Sequence, residues 1–399
     1  MERFRKLGIL EFIVKAITEE KFEKPTEIQE KAIPPILNGK DVIGESATGS
    51  GKTFVFGSRI IQNSEKGRGI QALILTPTRE LAEQITRNLI SLSKYKHLNI
   101  VRVYGGVSIN PQIEGLRRAD IVVGTPGRIL DHLNRRTIYL NNIKTLILDE
   151  ADIMFDMGFI DDVKKIIRIC PTKRQTLLFS ATISEEVEYI AKEFMKDPVR
   201  VSAEKHVDPM KLTQVYYNVP DPLKFSLLVH LLKNEKGGLV MVFCNTRRNT
   251  DFVAENLKRN GVEATAIHGG LSQNKRSDVM KHFHSQMVYV LVCTDVAARG
   301  LDIKGVSHVY NYDIPKDPKQ YIHRIGRTAR AGKEGKAISI LSSNDYMNFS
   351  RVQKLCYRNI TKEEMPYVER VQITRVQHNR PDFRRGFRPN FKRQRHNFK

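Results

Sequence analysis

Cysteine is scarce in this chain. Four occur in 399 residues, at Cys170, Cys244, Cys293 and Cys356. None forms a C-x-x-C pair, and Cys244 and Cys293 sit inside apolar runs. That argues against a zinc site and against a disulfide framework, and it suits a reducing compartment. Long hydrophobic runs are missing as well. No stretch approaches the roughly 20 apolar residues of a membrane span, and the opening MERFRKLGILEF is too polar for a signal peptide. The reading is a cytoplasmic protein with no membrane partner. Coiled-coil heptads are absent, so a monomer is expected.

Acidic charge is in deficit. Asp and Glu number 44 against 66 Lys and Arg, a formal net charge of +22. Such an excess calls for a polyanion, with nucleic acid ahead of an anionic membrane. The excess is uneven. From Arg375 the chain reads RVQHNRPDFRRGFRPNFKRQRHNFK, with Phe383, Phe387, Phe391 and Phe398 among the cations. No core can form there. Residues 371–399 are expected to be a disordered basic tail that anchors nucleic acid by charge and stacking.

Short apolar runs alternate with helix-period segments elsewhere. In the first half they are DVIG from Asp41, ALILT from Ala72, VRVY from Val101, DIVVG from Asp120, TLIL from Thr145 and TLLFS from Thr176. In the second half they are LVMVF from Leu239, ATAIH from Ala264, YVLVC from Tyr289, HVYNY from His308 and AISIL from Ala337. This rhythm predicts an α/β fold, with parallel sheets covered by helices on both faces. It pauses between Asp197 and Lys211, which predicts domains at 1–203 and 212–370 joined by a linker at 204–211. Ligands of such sheets bind beyond the carboxyl ends of the strands.

The turns there carry the chemistry. After the first strand comes S-A-T-G-S-G-K-T, Ser46 to Thr53. Strand, Gly-rich loop and helix form the context of a phosphate loop, although Ser46 replaces the usual first glycine. Ser46, Ala47, Thr48, Gly49, Ser50 and Gly51 would wrap a β-phosphate with backbone N–H groups. Lys52 would neutralise the β- and γ-phosphates, and the Thr53 hydroxyl would bind Mg²⁺. After TLIL come Asp149, Glu150 and Asp152. Carboxylates crowded at a buried strand end need a cation, and Mg²⁺ brought by a nucleotide supplies it. Asp149 would hold the metal, and Glu150 would orient and deprotonate the attacking water.

These motifs, with PTRELA at Pro77–Ala82, TPGR at Thr125–Arg128, SAT at Ser180–Thr182 and HRIGRTAR at His323–Arg330, resemble those of the DEAD-box ATP-dependent RNA helicases. The resemblance covers about residues 1–370 and implies two tandem RecA-like domains. It implies that Arg327 and Arg330 reach the γ-phosphate from the second domain as catalytic fingers. Asp152, Ser180, Thr182, His323 and Arg324 would couple the domains, and Asp302 would bind the ribose. FEKPTEIQ, Phe22–Gln29, is similar to the family's adenine motif, with Gln29 on the base edge and Phe4 stacked on the ring. Thr26 and Gln29 also spell a capping box, and alone the stretch reads as that cap. The family usually has Gly where this chain has Lys21, and often Gly where it has Ala329.

For the RNA backbone, the resemblance and the residue types point to Arg79, Gly106, Thr125, Gly127 and Arg128 in the first domain. In the second they point to Thr246, Gly269, Gln273, Arg276, Thr294 and Arg299. Glycines admit close backbone approach, and arginines and hydroxyls bind phosphate oxygens. The expected activity is RNA-stimulated ATP hydrolysis with local unwinding of short duplexes. Two alternatives stand beside it: an RNA clamp that uses ATP only to close, and a DNA helicase of the same superfamily.

Overall fold

The computed structural model describes residues 1–46, 49–203, 212–235, 237–298, 303, 305–329, 334–355 and 360–374. Seven strands build the first sheet: β1 (Val42–Glu45), β2 (Ala72–Leu75), β3 (Ile100–Val103), β4 (Ile121–Gly124), β5 (Thr145–Leu148), β6 (Gln175–Ser180) and β7 (Val199–Ser202). Seven more build the second: β8 (Leu212–Asn218), β9 (Leu239–Phe243), β10 (Ala264–Ile267), β11 (Val290–Cys293), β12 (Val306–Asn311), β13 (Gly335–Leu341) and β14 (Thr361–Glu363).

The strands are β-branched and apolar because both sheet faces are covered. Alternate residues of one strand enter different cores. Ile74 joins one cluster while Leu73 and Leu75 join another, and Val240 and Val242 part from Met241 and Phe243 in the same way. Burial on both faces leaves no polar alternation, as parallel sheets require.

The two sheets have the same strand order. The first runs β3-β4-β2-β5-β6-β1-β7 and the second β10-β11-β9-β12-β13-β8-β14, which is the same sequence of places shifted by one domain. Register then aligns the strand ends. Leu75 lies opposite Gly124 and Leu148, so the loops at Thr76, Thr125 and Asp149 leave the sheet at one level. Phe243 lies opposite Cys293 and Asn311, which does the same in the second domain.

Three strands were not anticipated. β7 lies where the rhythm pauses, β8 follows the linker at once, and β14 is three residues long. Both β7 and β14 are outer strands with exposed residues, so their apolar signal is weak. The second domain also extends past residue 370. Val371 N donates to Ser226 Oγ at 3.2 Å, and Thr374 N donates to Asn256 Oδ1 at 2.8 Å. The segment 371–374 therefore packs on the domain. The linker 204–211 and the rest of the tail lie outside the described residues.

Candidate active site and nucleic-acid interface

The loop after β1 turns into the helix Lys52–Asn63. Gly49 and Gly51 take φ of 84° and 96°, a backbone that L side chains rarely adopt. A side-chain carbon on Gly51 would also strike the Gln29 amide. Thr26 Oγ1 donates to Ser50 O at 2.8 Å and Gln29 Nε2 to Gly51 O at 3.2 Å. Gln29 Oε1 accepts from Thr26 N at 3.0 Å, so the capping box forms. Of the two readings of Gln29, the structure displays the cap and adds a brace to the loop. Ala47 and Thr48 lie outside the described residues.

Lys52 is buried at the helix start. Its Nζ donates to Ser46 O at 3.2 Å and lies 3.9 Å from Asp149 Oδ1. Ser50 Oγ donates to Ser46 Oγ at 3.1 Å, and Thr53 follows Lys52 on the same first turn. Phe4 is not where the sequence reading puts it. It is 0% exposed, in edge contact with Phe54 and Phe22 at 5.5 and 6.3 Å between centroids. An apolar ring on a short amphipathic helix is worth more in the core than on a base. Phe22, half-buried, is the member of this trio nearest the surface.

Asp149, Glu150 and Asp152 are all buried at the end of β5. Burial pushes the Asp149 carboxyl up to about 6, with Glu150 adding to the rise and Lys52 opposing it. Glu150 stands in the left-handed region at φ 52°, a strained place for a side-chain-bearing residue. Asp152 Oδ2 accepts from Thr182 N and Thr182 Oγ1, each at 3.0 Å. Ser180 Oγ accepts from Asp152 N at 3.2 Å and donates to Thr182 O at 2.8 Å. The acidic motif and the Ser-Ala-Thr turn are thus one hydrogen-bonded unit.

Arg324 departs from expectation. It does not reach toward Asp152 or Ser180. Its Nε and Nη2 grip Asp295 at 2.6 and 2.7 Å, its Nη1 donates to Asn311 Oδ1 at 3.2 Å and Asp313 O at 2.6 Å, and Nη2 also donates to Asn245 Oδ1 at 2.9 Å. Every N–H of the guanidinium is used inside the second domain, with Phe243 stacked at 5.1 Å. A near, bidentate carboxylate wins over a distant partner. His323 precedes it on the helix Pro318–Ile325, and buried Arg327 follows just past the helix end. Asp302 and Arg330 lie outside the described residues, as does Arg299.

The backbone-binding candidates gather beyond three neighbouring strands in each domain. Thr78 caps the helix Arg79–Leu92, and the Arg79 guanidinium covers Gly106, where any side chain would strike it. Thr125 starts the helix Pro126–Asn134, Gly127 faces open space, and Arg128 donates to Val107 O at 3.2 and 3.3 Å. In the second domain Thr246 caps the helix Arg247–Arg259, and Arg247 lies against Gly269. Thr294 closes the loop after β11. The two halves match in detail. Glu83, four residues after Arg79, accepts from the Tyr104 hydroxyl at the end of β3. Asp251, four residues after Arg247, sits 2.7 Å from His268 Nε2 at the end of β10.

Two second-domain candidates sit elsewhere. Arg276 Nε and Nη2 donate to Glu80 Oε1 at 2.8 and 2.7 Å, and Arg79 Nη1 donates to Gln273 Oε1 at 3.5 Å. Gln273 and Arg276 therefore join the two domains in this arrangement. Glu80 offers Arg276 a buried charge partner, which a screened phosphate contact would have to displace.

Comparison with known proteins now decides the family. Residues 26–190 match the DEAD/DEAH box helicase family and residues 223–332 the helicase conserved C-terminal domain. The chain belongs to the DEAD/DEAH box helicase family. The ATP-dependent RNA helicase CshA of Listeria monocytogenes is 48% identical over 356 residues, covering 88% of this chain and 68% of that protein. A DEAD box protein from Methanococcus jannaschii is 44% identical, covers 90% of this chain and 99% of its own, and superposes with a TM-score of 0.55. Saccharomyces cerevisiae Dbp5 bound to RNA and ADP BeF3 is 33% identical, with coverage of 92% and 96%, and superposes at 0.83.

The less similar sequence gives the better superposition. The superposition on the RNA-bound Dbp5 spans both domains of this DEAD-box chain, which touch each other through Glu80 and Arg276. Arg247, which lies against Gly269, stands beside the backbone-binding candidates and is not among the residues expected from the sequence. The signal was present: Thr-Arg follows both LILTP and VFCN, and a Gly-Gly pair follows the next strand in each half.

Proposed function

We propose that this ATP-dependent RNA helicase couples ATP hydrolysis to closure of its two domains on one RNA strand. The observation that carries the reading is the joint placement of two sets of groups. The phosphate loop with its acidic cluster and the paired backbone-binding loops all lie at strand ends, and the domains meet through Glu80 and Arg276.

Gly49, Ser50 and Gly51 bind phosphate through backbone N–H groups, with Lys52 as the fixed charge. Phe22 and Gln29 frame the base. Thr53 and Asp149 fit Mg²⁺ as hard oxygen ligands. Such an ion would keep waters and phosphate oxygens as its other ligands. When bound, Mg²⁺ neutralises phosphate charge. Glu150 orients and deprotonates water, and Arg327 and Arg330 stabilise charge on the transferred phosphoryl group. Arg79, Gly106, Thr125, Gly127 and Arg128 hold the strand from one side. Thr246, Arg247, Gly269 and Thr294 hold it from the other. These are contacts to the backbone and carry no sequence preference. A strand held bent between the two sets of loops cannot keep its A-form duplex partner locally. The cytoplasm is the proposed place of action.

The test is phosphate release with and without RNA. Lys52→Ala abolishes turnover in both. Glu150→Gln holds ATP and RNA together with turnover reduced about a hundredfold or more. Full RNA-stimulated turnover in Glu150→Gln would remove that residue from catalysis, and equal stimulation by DNA of matched sequence would favour a DNA helicase.

A further inference from the structure

Arg324 lies at the meeting point of three loops and one helix. Its side chain holds Asn245 from the loop after β9, Asp295 from the loop after β11, and Asn311 and Asp313 from the end of β12. Its own carbonyl accepts from Arg327 N at 3.0 Å. The two side-chain acceptors nearest the RNA side are each one residue from a backbone-binding candidate. Asn245 precedes Thr246, and Asp295 follows Thr294.

The loops are stiff in turn. Asp313 Oδ2 accepts from Asn245 N at 2.9 Å and from Asn249 Nδ2 at 2.7 Å, and Asn245 Nδ2 donates to Ile314 O at 2.8 Å. Asp295 opens the helix Asp295–Ala298, whose last two N–H groups return to Thr294 O. A strand that seats Thr246 and Thr294 therefore fixes both ends of the guanidinium. The fixed guanidinium fixes the turn that carries Arg327.

We propose that Arg324 is a positioning residue that carries RNA binding to the arginine finger within the second domain, by the route Asn245 and Asp295 to Arg324 to Arg327. The proposal rests on the reading that Thr246 and Thr294 bind RNA and that Arg327 serves the γ-phosphate. It differs from a bridge across the cleft, because every contact in the route belongs to one domain. A planar fork with five donors suits the task, since it fixes several loops in one plane and does not lose its charge. These bonds brace the loops from within the domain, and a strand seated on Thr246 and Thr294 adds the outer contact that tightens the turn of Arg327.

Replacing Arg324 itself risks the fold, because its side chain is 1% exposed and would leave Asp295 unpaired. Asn245 is exposed and is the safer probe. Asn245→Ala removes one arm of the route, and Asn245→Asp keeps the acceptor. The measurements are ATP turnover alone, ATP turnover at saturating oligouridylate, oligouridylate affinity by fluorescence anisotropy, and Tm. For Asn245→Ala the expected result is a loss of about five- to tenfold in RNA-stimulated turnover, with the other three quantities within about twofold or unshifted. Asn245→Asp keeps the acceptor for Arg324, loses the bond to Ile314 O, and recovers part of the stimulation. Unchanged stimulation in Asn245→Ala would overturn the route. So would a defect that disappears at saturating oligouridylate, since Asn245 would then serve RNA affinity alone. A wild-type chain whose turnover ignores oligouridylate would overturn the helicase reading beneath it, a result distinguishable because it involves no variant.

Discussion

Two residues depart from the family's glycine, and both have a left-handed backbone. Lys21 has φ 57° just past the end of the helix Glu11–Glu19, and Ala329 has φ 54° beside the finger segment. Such a conformation costs an L residue about 1–2 kcal/mol, while glycine adds about 0.5–1 kcal/mol of chain entropy to the unfolded state. At exposed Lys21 the strain outweighs the entropy. Lys21→Gly is expected to stabilise by about 0.5–1 kcal/mol, read as a higher urea midpoint at unchanged m. Ala329 is buried, so Ala329→Gly also loses a methyl worth about 0.8 kcal/mol, and its midpoint should hardly move. Asp149 offers a pH test. Its carboxyl is raised from 3.8 to about 6, so the native state binds the extra proton. Its stability contribution is full below the unfolded value and lost as pH rises through about 6. Asp149→Asn should therefore stabilise the fold relative to wild type more at pH 8 than at pH 5, by a difference of about 1.4 kcal/mol read from urea unfolding at the two pH values. An equal effect at both pH values would show that the buried charge is not the cause.

At the scale of elements, each domain repeats one arrangement. A threonine caps a helix, an arginine at its first position lies on a Gly-Gly turn, and a carboxylate one turn later holds the residue just after the next strand in the chain. In the first domain that residue is Tyr104, and in the second it is His268. His268 also accepts from Gly270 N at 3.1 Å through Nδ1, so Nε2 carries the proton that Asp251 receives. The arrangement holds the glycine turn at the height of the arginine. His268→Phe breaks the tie to Asp251, and His268→Tyr restores it in the form the first domain uses. The expected outcome is RNA affinity about fivefold weaker for His268→Phe and near wild type for His268→Tyr, with ATP turnover in the absence of RNA unaltered. Equal losses in both variants would mean that the ring nitrogen, and not the carboxylate tie, matters.

At the scale of the whole molecule, the Glu80–Arg276 pair and the Arg79–Gln273 contact cross between domains. The pair is largely buried, so it resists salt better than a surface pair does. Glu80→Arg should weaken cooperative binding of ATP and RNA, and Glu80→Arg with Arg276→Glu should restore it. Binding of fluorescent RNA at fixed nucleotide measures this, and a double variant no better than the single one would count against a direct contact. Deleting the tail from Arg375 should weaken RNA binding at low salt and leave turnover at saturating RNA intact. Unchanged affinity at low salt would remove the tail from RNA anchoring.

The sequence alone determined the strand rhythm, the phosphate loop, and the acidic turn at the end of β5. These are local: period, turn chemistry and the order strand–loop–helix reside in a few consecutive residues. It also held the repeat that pairs Arg79 with Arg247. What it did not hold were the partners of long side chains. Phe4 belongs to the core, Arg276 to the domain seam, and Arg324 to three loops of its own domain. An arginine can extend to many acceptors, and which one it takes depends on burial and distance between segments far apart in the chain. Arg324 lies 79 residues from Asn245, and Arg276 lies 196 from Glu80. Only packing brings those atoms within a bond's reach, so only the tertiary structure could assign them.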